Sequence, residues 1–157
     1  MIRFWILFLS VLAAFYWLNT TYWYIEYLAA PSLHFYSFIS AGILNLFGYG
    51  ITVYQGNMSG KLFSMSIATG CDAIAPMFML ISAIGFYTYG SLRNKLLGIL
   101  LGCSIVFVLN IVRIISLYLI GIYANDWFEF FHLEFWQVLF ILVAMIYFLY
   151  WLRKYSE

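Results

Sequence analysis

The sequence carries very little charge: Asp, Glu, Lys and Arg make up 8% of its 157 residues, against roughly 25% in a soluble domain. No polar stretch is long enough to build a second core, so we expect a single domain over residues 1–157. A net charge of +1 gives no indication of nucleic-acid binding. Two cysteines are too few for a disulfide framework. Two histidines and scattered carboxylates give no metal-ligand spacing, and no Gly-rich phosphate motif occurs, so we expect no metal and no cofactor.

Apolar and aromatic residues are abundant. The chain is 66% hydrophobic with a mean hydropathy of +0.98. Phe, Trp and Tyr alone make up 23% of the residues, which suits the belts that aromatic rings form at membrane interfaces. The sequence therefore predicts an integral membrane protein whose main partner is the lipid bilayer.

Hydrophobic runs predict four spans, at about residues 4–18, 73–90, 96–123 and 135–152. Residues 33–49 are apolar but interrupted by polar and small residues, and predict a re-entrant or interfacial helix. Residues 51–68 alternate in polarity around a turn at 55–60, which predicts a short β-hairpin outside the lipid. The fold class is an all-α membrane bundle of about four to five transmembrane or re-entrant helices, with an extracytoplasmic hairpin-like segment before the Cys71 helix.

The basic residues predict the orientation. They flank span ends that can share one face, which the positive-inside rule makes cytoplasmic: Arg3, Arg93, Lys95, Arg153 and Lys154. The region around Cys71 then faces outward, so residues 20–70 must cross the membrane an even number of times. Either residues 33–49 do not cross or the hairpin region contains a return crossing. We favour the first, because the turn residues and Lys61 would be costly in lipid.

Arg113 is the residue that most needs an explanation, because a guanidinium inside an apolar helix costs several kcal/mol without a partner or a wet cavity. Helical rise from Lys95 places Arg113 roughly 27 Å higher, near the outer surface. Cys71 starts one predicted span at that boundary and His132 precedes another. We therefore expect Arg113, Cys71 and His132 to meet at the outer face.

Each member of this trio has a chemical and a structural interpretation. Cys71 precedes a helix, where the helix dipole would lower the thiol pKa, although a small apolar residue also suits that position. His132 has the pKa to exchange a proton with a thiol, or it is an interface residue. Arg113 could instead pair with Asp126 or Glu129, or extend its head group to the interface.

Three further residues are candidates for supporting or substrate-binding roles. Asn110 lies one helical turn before Arg113, where it would orient the guanidinium or bond another helix. Asp72 would raise the pKa of Cys71 unless it turns toward Arg113 or solvent. Trp136 belongs to an aromatic set that forms an interfacial belt or walls a groove for an apolar peptide.

At these residues the sequence resembles the exosortase/archaeosortase family of membrane cysteine transpeptidases. The family pattern is a Cys at the start of one helix, Asn-x-x-Arg in the next and a His before the last. Here these are the segments 69–73, 110–114 and 128–137, and the third is most similar to the exosortase H type. This chain has Asp72-Ala73 where many members have Ser-Gly after the Cys, and its N-terminus is shorter than in the larger members.

The resemblance implies a cysteine transpeptidase/protease at the outer face of the inner membrane. Cys71 would form an acyl-enzyme, His132 would protonate the leaving amine, and Arg113 would stabilise the oxyanion. The implied substrates are exported proteins whose C-terminal tag combines a short motif, a transmembrane helix and a basic tail. The alternative is a non-catalytic membrane assembly or transport subunit, in which Arg113 forms a structural ion pair.

Overall fold

The computed structural model describes residues 2–68 and 70–155, where the chain forms five helices and one small antiparallel sheet. The elements in chain order are α1 (Ile2–Asn19), α2 (22–46), β1 (Thr52–Tyr54), β2 (Asn57–Ser59), β3 (Ser64–Met65), α3 (Ile74–Phe86), α4 (Leu92–Tyr123) and α5 (Asn125–Tyr155). The predicted fold class, a helical membrane bundle with a small β-segment before the Cys71 helix, is confirmed.

Three of these helices, α1, α4 and α5, are long and apolar enough to cross a membrane. The predicted span 73–90 is too long, because α3 has only 13 residues. Ala73 adopts a left-handed conformation at its start and Tyr87 an extended one at its end. Lys95 donates to the carbonyls of Gly85 and Tyr87, so two carbonyl groups at the end of the helix have a hydrogen-bond partner. At about 20 Å, α3 is shorter than a hydrocarbon core of about 30 Å.

The helix predicted at 33–49 instead covers residues 22–46. It consists of a helical turn at Tyr22–Tyr24, a π-helical turn at Ile25–Ala29 and an α-helix at Ala30–Leu46. Pro31 lacks an N–H, and the π-helical turn directly before it lets the helix continue through the proline. The helix therefore begins before Pro31 and continues past it.

Helix α2 lies beside the C-terminal half of α4. Its Tyr36 ring lies 5.2 Å from the ring of Phe107, centre to centre. Just beyond its end, the hydroxyl of Tyr49 lies 3.2 Å from that of Tyr123, the last residue of α4. Whether α2 enters the bilayer stays a prediction.

The β-segment has three strands rather than two. Val53 of β1 pairs with Met58 of β2, which in turn pairs with Met65 of β3. The predicted turn at 55–60 contracts to Gln55 and Gly56, both with positive φ, so residues 57–59 become the central strand. The sheet packs on α2, where Ser37 donates a hydrogen bond to the carbonyl of Gly56 at 2.7 Å.

Helix α5 begins at Asn125, before the start of the span predicted at 135–152. The early part contains a 3-10 turn at Asn125–Trp127 and a π-helical turn at Phe131–Phe135. Phe128 packs against Phe63, with ring centres 5.9 Å apart, and this contact holds the early turns on the rest of the fold. His132 therefore lies on a helix.

Two glycines spaced four residues apart allow α5 to approach α4 closely. Gly98 and Gly102 face Trp151 and Tyr147 of α5. Tyr147 donates to the carbonyl of Gly98 at 2.6 Å, and the Trp151 indole donates to that of Asn94 at 3.1 Å. Small residues in this spacing are typical of tightly packed membrane helices.

We expect Gly98→Ala to destabilise the protein by about 1–3 kcal/mol, because the added methyl group would overlap the Trp151 indole. Gly85→Ala is the matched control, because a methyl group there meets open space and Ala favours the helix. Thermal unfolding in detergent measures both changes. A Gly98→Ala protein that melts with the wild type would contradict the close approach.

Candidate active site

Cys71 lies in the short connection between β3 and α3. Its backbone N–H donates to the carbonyl of Ala68 at 3.1 Å, and Gly70 turns the chain with a φ of +96°. Thr69, the first residue of the motif, lies outside the described residues. The Cys71 side chain is only 7% exposed. The nucleophile candidate is thus held in a tight, buried turn.

Ala73 has a φ of +58°, in the left-handed region that favours glycine. This is the position at which many members of the resembled family have Gly. The strain of an alanine here is of the order of 1 kcal/mol. A hydrogen bond spans this strained residue: the Ile74 N–H, at the start of α3, donates to Asp72 at 3.1 Å. Ala73 therefore holds a backbone conformation that glycine adopts more readily.

Arg113 connects the other two members of the trio. Its Nη2 donates to Cys71 Sγ and to the backbone carbonyl of His132, at 3.4 Å in both cases. The guanidinium carbon lies 5.7 Å from the centre of the Phe140 ring, a cation–π contact. The side chain is 6% exposed. One nitrogen atom thus lies between the thiol and the helix turn that carries the imidazole.

Asn110 fixes the nucleophile from the same helix as Arg113. Its Nδ2 donates to the Cys71 carbonyl at 3.0 Å, and the side chain is fully buried. Because this bond holds the backbone of Cys71, it sets the position of Sγ relative to the guanidinium. This bond goes to the Cys71 connection rather than to the guanidinium or another helix, the two predicted alternatives.

His132 lies in the π-helical turn of α5, an irregularity that is frequent at functional sites. Its ring is half-buried and stacks on Phe128, with centres 5.7 Å apart and planes 9° apart. His132, Arg113 and Cys71 line one cavity of about 140 Å³, together with Met65 and Ile67 from the β3 segment. The trio predicted from the sequence therefore shares one chamber.

Asp72 turns away from Arg113, contrary to one of its two predicted orientations, and it is not in solvent either. Its Oδ2 accepts a hydrogen bond from the Tyr24 hydroxyl at 3.3 Å, and Asp72 is 2% exposed. No ion pair within 4.0 Å joins it to Arg113 in residues 2–68 and 70–155. Sequence reasoning missed Tyr24, because 48 positions separate it from Asp72 and no periodic pattern relates them.

The pKa of the Cys71 thiol is raised from its ordinary value, contrary to the predicted lowering. Burial raises the pKa of Cys71, the Asp72 carboxylate raises it further, and Arg113 opposes both. Cys71 is also separated from the first turn of α3 by two residues, so the helix dipole acts at a distance. Burial likewise raises the pKa of Asp72 above its ordinary value.

Two residues that line the chamber each carry a buried polar atom with no hydrogen-bond partner within the described part of the chain. These atoms are Arg113 Nε and His132 Nδ1. Buried polar groups are nearly always paired. Asn110 Oδ1 and Trp136 Nε1, which are also unpaired, belong to residues outside the chamber lining.

The chamber combines a thiol, an imidazole and a guanidinium. This set supports nucleophilic attack by sulfur on a carbonyl, with proton transfer through the imidazole and stabilisation of negative charge by the guanidinium. Within residues 2–68 and 70–155, no group of three or more His, Cys, Asp or Glu side chains could hold a metal ion.

Comparison with known proteins extends the resemblance beyond the three motifs. The sequence model of the transmembrane exosortase family (Exosortase_EpsH) matches residues 2–150, which include every residue of this site. No curated protein and no solved structure matches the chain. The resemblance to the exosortase family is confirmed.

We expect iodoacetamide to alkylate Cys71 with a pH midpoint above about 8.5, the pKa of an ordinary thiol, because burial raises the pKa. Asp72→Asn removes a neighbouring negative charge and should move the midpoint to lower pH. Arg113→Gln removes the positive charge and should move it to higher pH. Mass spectrometry of the Cys71 peptide in a Cys103→Ser background gives the rates. A midpoint below 8.5 in the parent protein would contradict the raised pKa of the Cys71 thiol.

Proposed function

Since this chain belongs to the transmembrane exosortase family, a family of membrane transpeptidases, we propose that it is a cysteine transpeptidase/protease that cleaves a C-terminal sorting tag of exported proteins. The observation that carries this proposal is the Arg113 nitrogen that lies 3.4 Å from both Cys71 Sγ and the His132 carbonyl. A purely structural cysteine has no need of a buried cation at its sulfur.

In the proposed reaction, His132 takes the thiol proton as Sγ attacks the scissile carbonyl carbon. The carbonyl oxygen becomes an oxyanion beside Arg113. The carbon–nitrogen bond then breaks, His132 returns the proton to the leaving amine, and the acyl group remains on Cys71 as a thioester. Water or an amine acceptor releases it. The proposed reaction includes a base because burial raises the pKa of the thiol and so favours its protonated form.

The alternative, an assembly or transport subunit, depends on a structural ion pair between Arg113 and Asp126 or Glu129. In the described residues Arg113 forms no such pair within 4.0 Å; its bonds go to neutral groups on Cys71 and His132. The alternative therefore loses the interaction on which it was based. No other observation favours it.

An apolar groove supports the substrate class. A cavity of about 630 Å³ between α1, α3 and α5 has Arg113 in its lining. It shares Met79 and Ile141 with a second cavity of about 530 Å³ that continues toward Phe4 and Leu152. We propose that the transmembrane helix of the substrate occupies this groove. Its basic tail then reaches the face near Lys154, and the scissile bond reaches Cys71 at the outer face of the inner membrane.

We expect Cys71→Ala, Arg113→Ala and His132→Ala each to abolish cleavage, because each removes one chemical group of the proposed reaction. Cys103→Ala, the matched control, removes the other thiol and should cleave normally. Immunoblots follow a reporter that ends in a sorting tag from the same cell, and also measure the enzyme in the membrane. Normal cleavage of the reporter by the Cys71→Ala protein would contradict the proposed mechanism.

We expect Ala13→Phe to reduce reporter cleavage at least tenfold, because the added ring would occupy the groove that Ala13 lines. Ala14→Phe is the matched control: Ala14 is equally exposed on α1 but is not part of the groove lining. The Cys71 alkylation rate should be unchanged in both variants. Equal cleavage by both would show that the substrate helix lies elsewhere.

A further inference from the structure

Strand β3 leaves one edge of the small sheet unpaired. The strand order is β1–β2–β3, so among the described residues β3 pairs with β2 alone. In this pair Met65 lies opposite Met58, and the Gly60 N–H donates to the carbonyl of Phe63. Phe63 and Met65 therefore direct their backbone groups toward β2. Because these groups alternate in direction along a strand, the N–H and carbonyl of Ser66 point to the free edge.

The free edge at Ser66 lies along the reaction chamber. Ser66 is exposed between the buried residues Met65 and Ile67, which is the alternation of an extended strand. All three residues line the chamber that Cys71 and His132 also line. Side chains of consecutive strand residues point to opposite faces. A cavity that three consecutive residues share therefore runs along the edge of the strand, where the backbone groups lie.

The backbone groups of Ser66 are unused at this edge. Ser66 forms no hydrogen bond to any residue in 2–68 and 70–155. Unpaired N–H and carbonyl groups on an exposed edge are a template for a further strand. The chamber thus has one wall that can pair with the backbone of an extended peptide.

The chamber has room for an extended chain but not for a helix. Its volume is about 140 Å³. One turn of an α-helix fills roughly 400–600 Å³, given a diameter of about 10–12 Å and a pitch of about 5.4 Å. The substrate helix proposed to lie in the groove beside Arg113 must therefore end before Cys71. Beyond that point the backbone of the tag loses its helical hydrogen bonds and needs other partners.

We propose that the sorting tag binds as an extended strand along the free edge of residues 65–67 and that this pairing brings the scissile carbonyl to Cys71. This inference rests on the proposed cleavage of such a tag. The N–H and carbonyl of Ser66 bond to the backbone of the tag. Main-chain pairing of this kind supplies affinity, while alternate side chains of the added strand supply specificity.

Two variants separate the backbone of Ser66 from its side chain. Ser66→Pro removes the N–H and the hydroxyl, whereas Ser66→Ala, the matched control, removes the hydroxyl alone. Proline is compatible with an edge position whose N–H bonds to no neighbouring strand. We expect Ser66→Pro to raise the KM for a synthetic tag peptide at least about fivefold, because a hydrogen bond to the bound tag is lost. Ser66→Ala should change the KM by less than about twofold, and the rate of Cys71 alkylation by iodoacetamide should be unchanged in both variants.

A scan of the substrate tests the pairing independently of how the Ser66→Pro protein folds. Synthetic peptides carry the sorting tag of the reporter, each methylated at one backbone nitrogen among the residues that precede the scissile bond. In a paired strand, alternate residues direct their backbone groups toward the partner. We therefore expect the parent enzyme to cleave the peptides poorly at alternate methylation positions and normally at the positions between. Mass spectrometry of the products measures cleavage.

The other outcomes separate the pairing from the proposed function. If methylation has no effect at any position, or the same effect at every position, the tag does not pair with this edge, while the proposed function stands. Equal KM values for Ser66→Pro and Ser66→Ala, with normal alkylation of Cys71, would overturn the pairing in the same way. If the parent protein cleaves no unmodified tag peptide, the proposed function fails, and the pairing fails with it.

Discussion

The structure depends on a buried guanidinium whose partners are all neutral. Arg113 donates to a thiol and a carbonyl and lies over an aromatic ring. A carboxylate within 4.0 Å would stabilise the cation, but it would also cancel the field at Cys71. Without one among the described residues, the positive charge acts on Cys71 Sγ, which Arg113 contacts directly. The cost of burying Arg113 is therefore offset most fully when negative charge develops on Cys71 or on a carbonyl attached to it.

The hydrogen bonds of Asp72 keep it from forming an ion pair with Arg113. A carboxylate next in sequence to the thiol could turn toward Arg113 and neutralise it. Tyr24 and the Ile74 N–H hold it on the other side of the connection. The aromatic start of α2 thus has a role that its composition does not reveal. It supplies the hydroxyl that keeps the only carboxylate adjacent to Cys71 out of the chamber.

The convergence of Cys71, Arg113 and His132 could be predicted because it depends on helix rise and on charge sorting across a membrane. Both are regular over the whole chain. The Tyr24–Asp72 bond could not be predicted, since it joins elements 48 residues apart without a periodic pattern. The central strand at 57–59 was missed because Asn57 and Ser59, which flank buried Met58, also suit a turn. The predicted lowering of the Cys71 pKa was wrong because the sequence shows neither the burial of Cys71 nor the two residues that separate it from the helix start.

Arg113 also lines two spaces of different character. The small chamber holds Cys71 and His132, while the larger apolar groove lies between α1, α3 and α5. In the proposed reaction the scissile bond therefore passes the guanidinium at the boundary between them. The leaving helix remains in the groove, surrounded by apolar side chains, and the acyl group remains on the chamber side. An acceptor amine is charged in water and enters lipid only at a high cost. In the proposed reaction the acceptor therefore reaches the thioester from the side of the chamber, which His132 also lines.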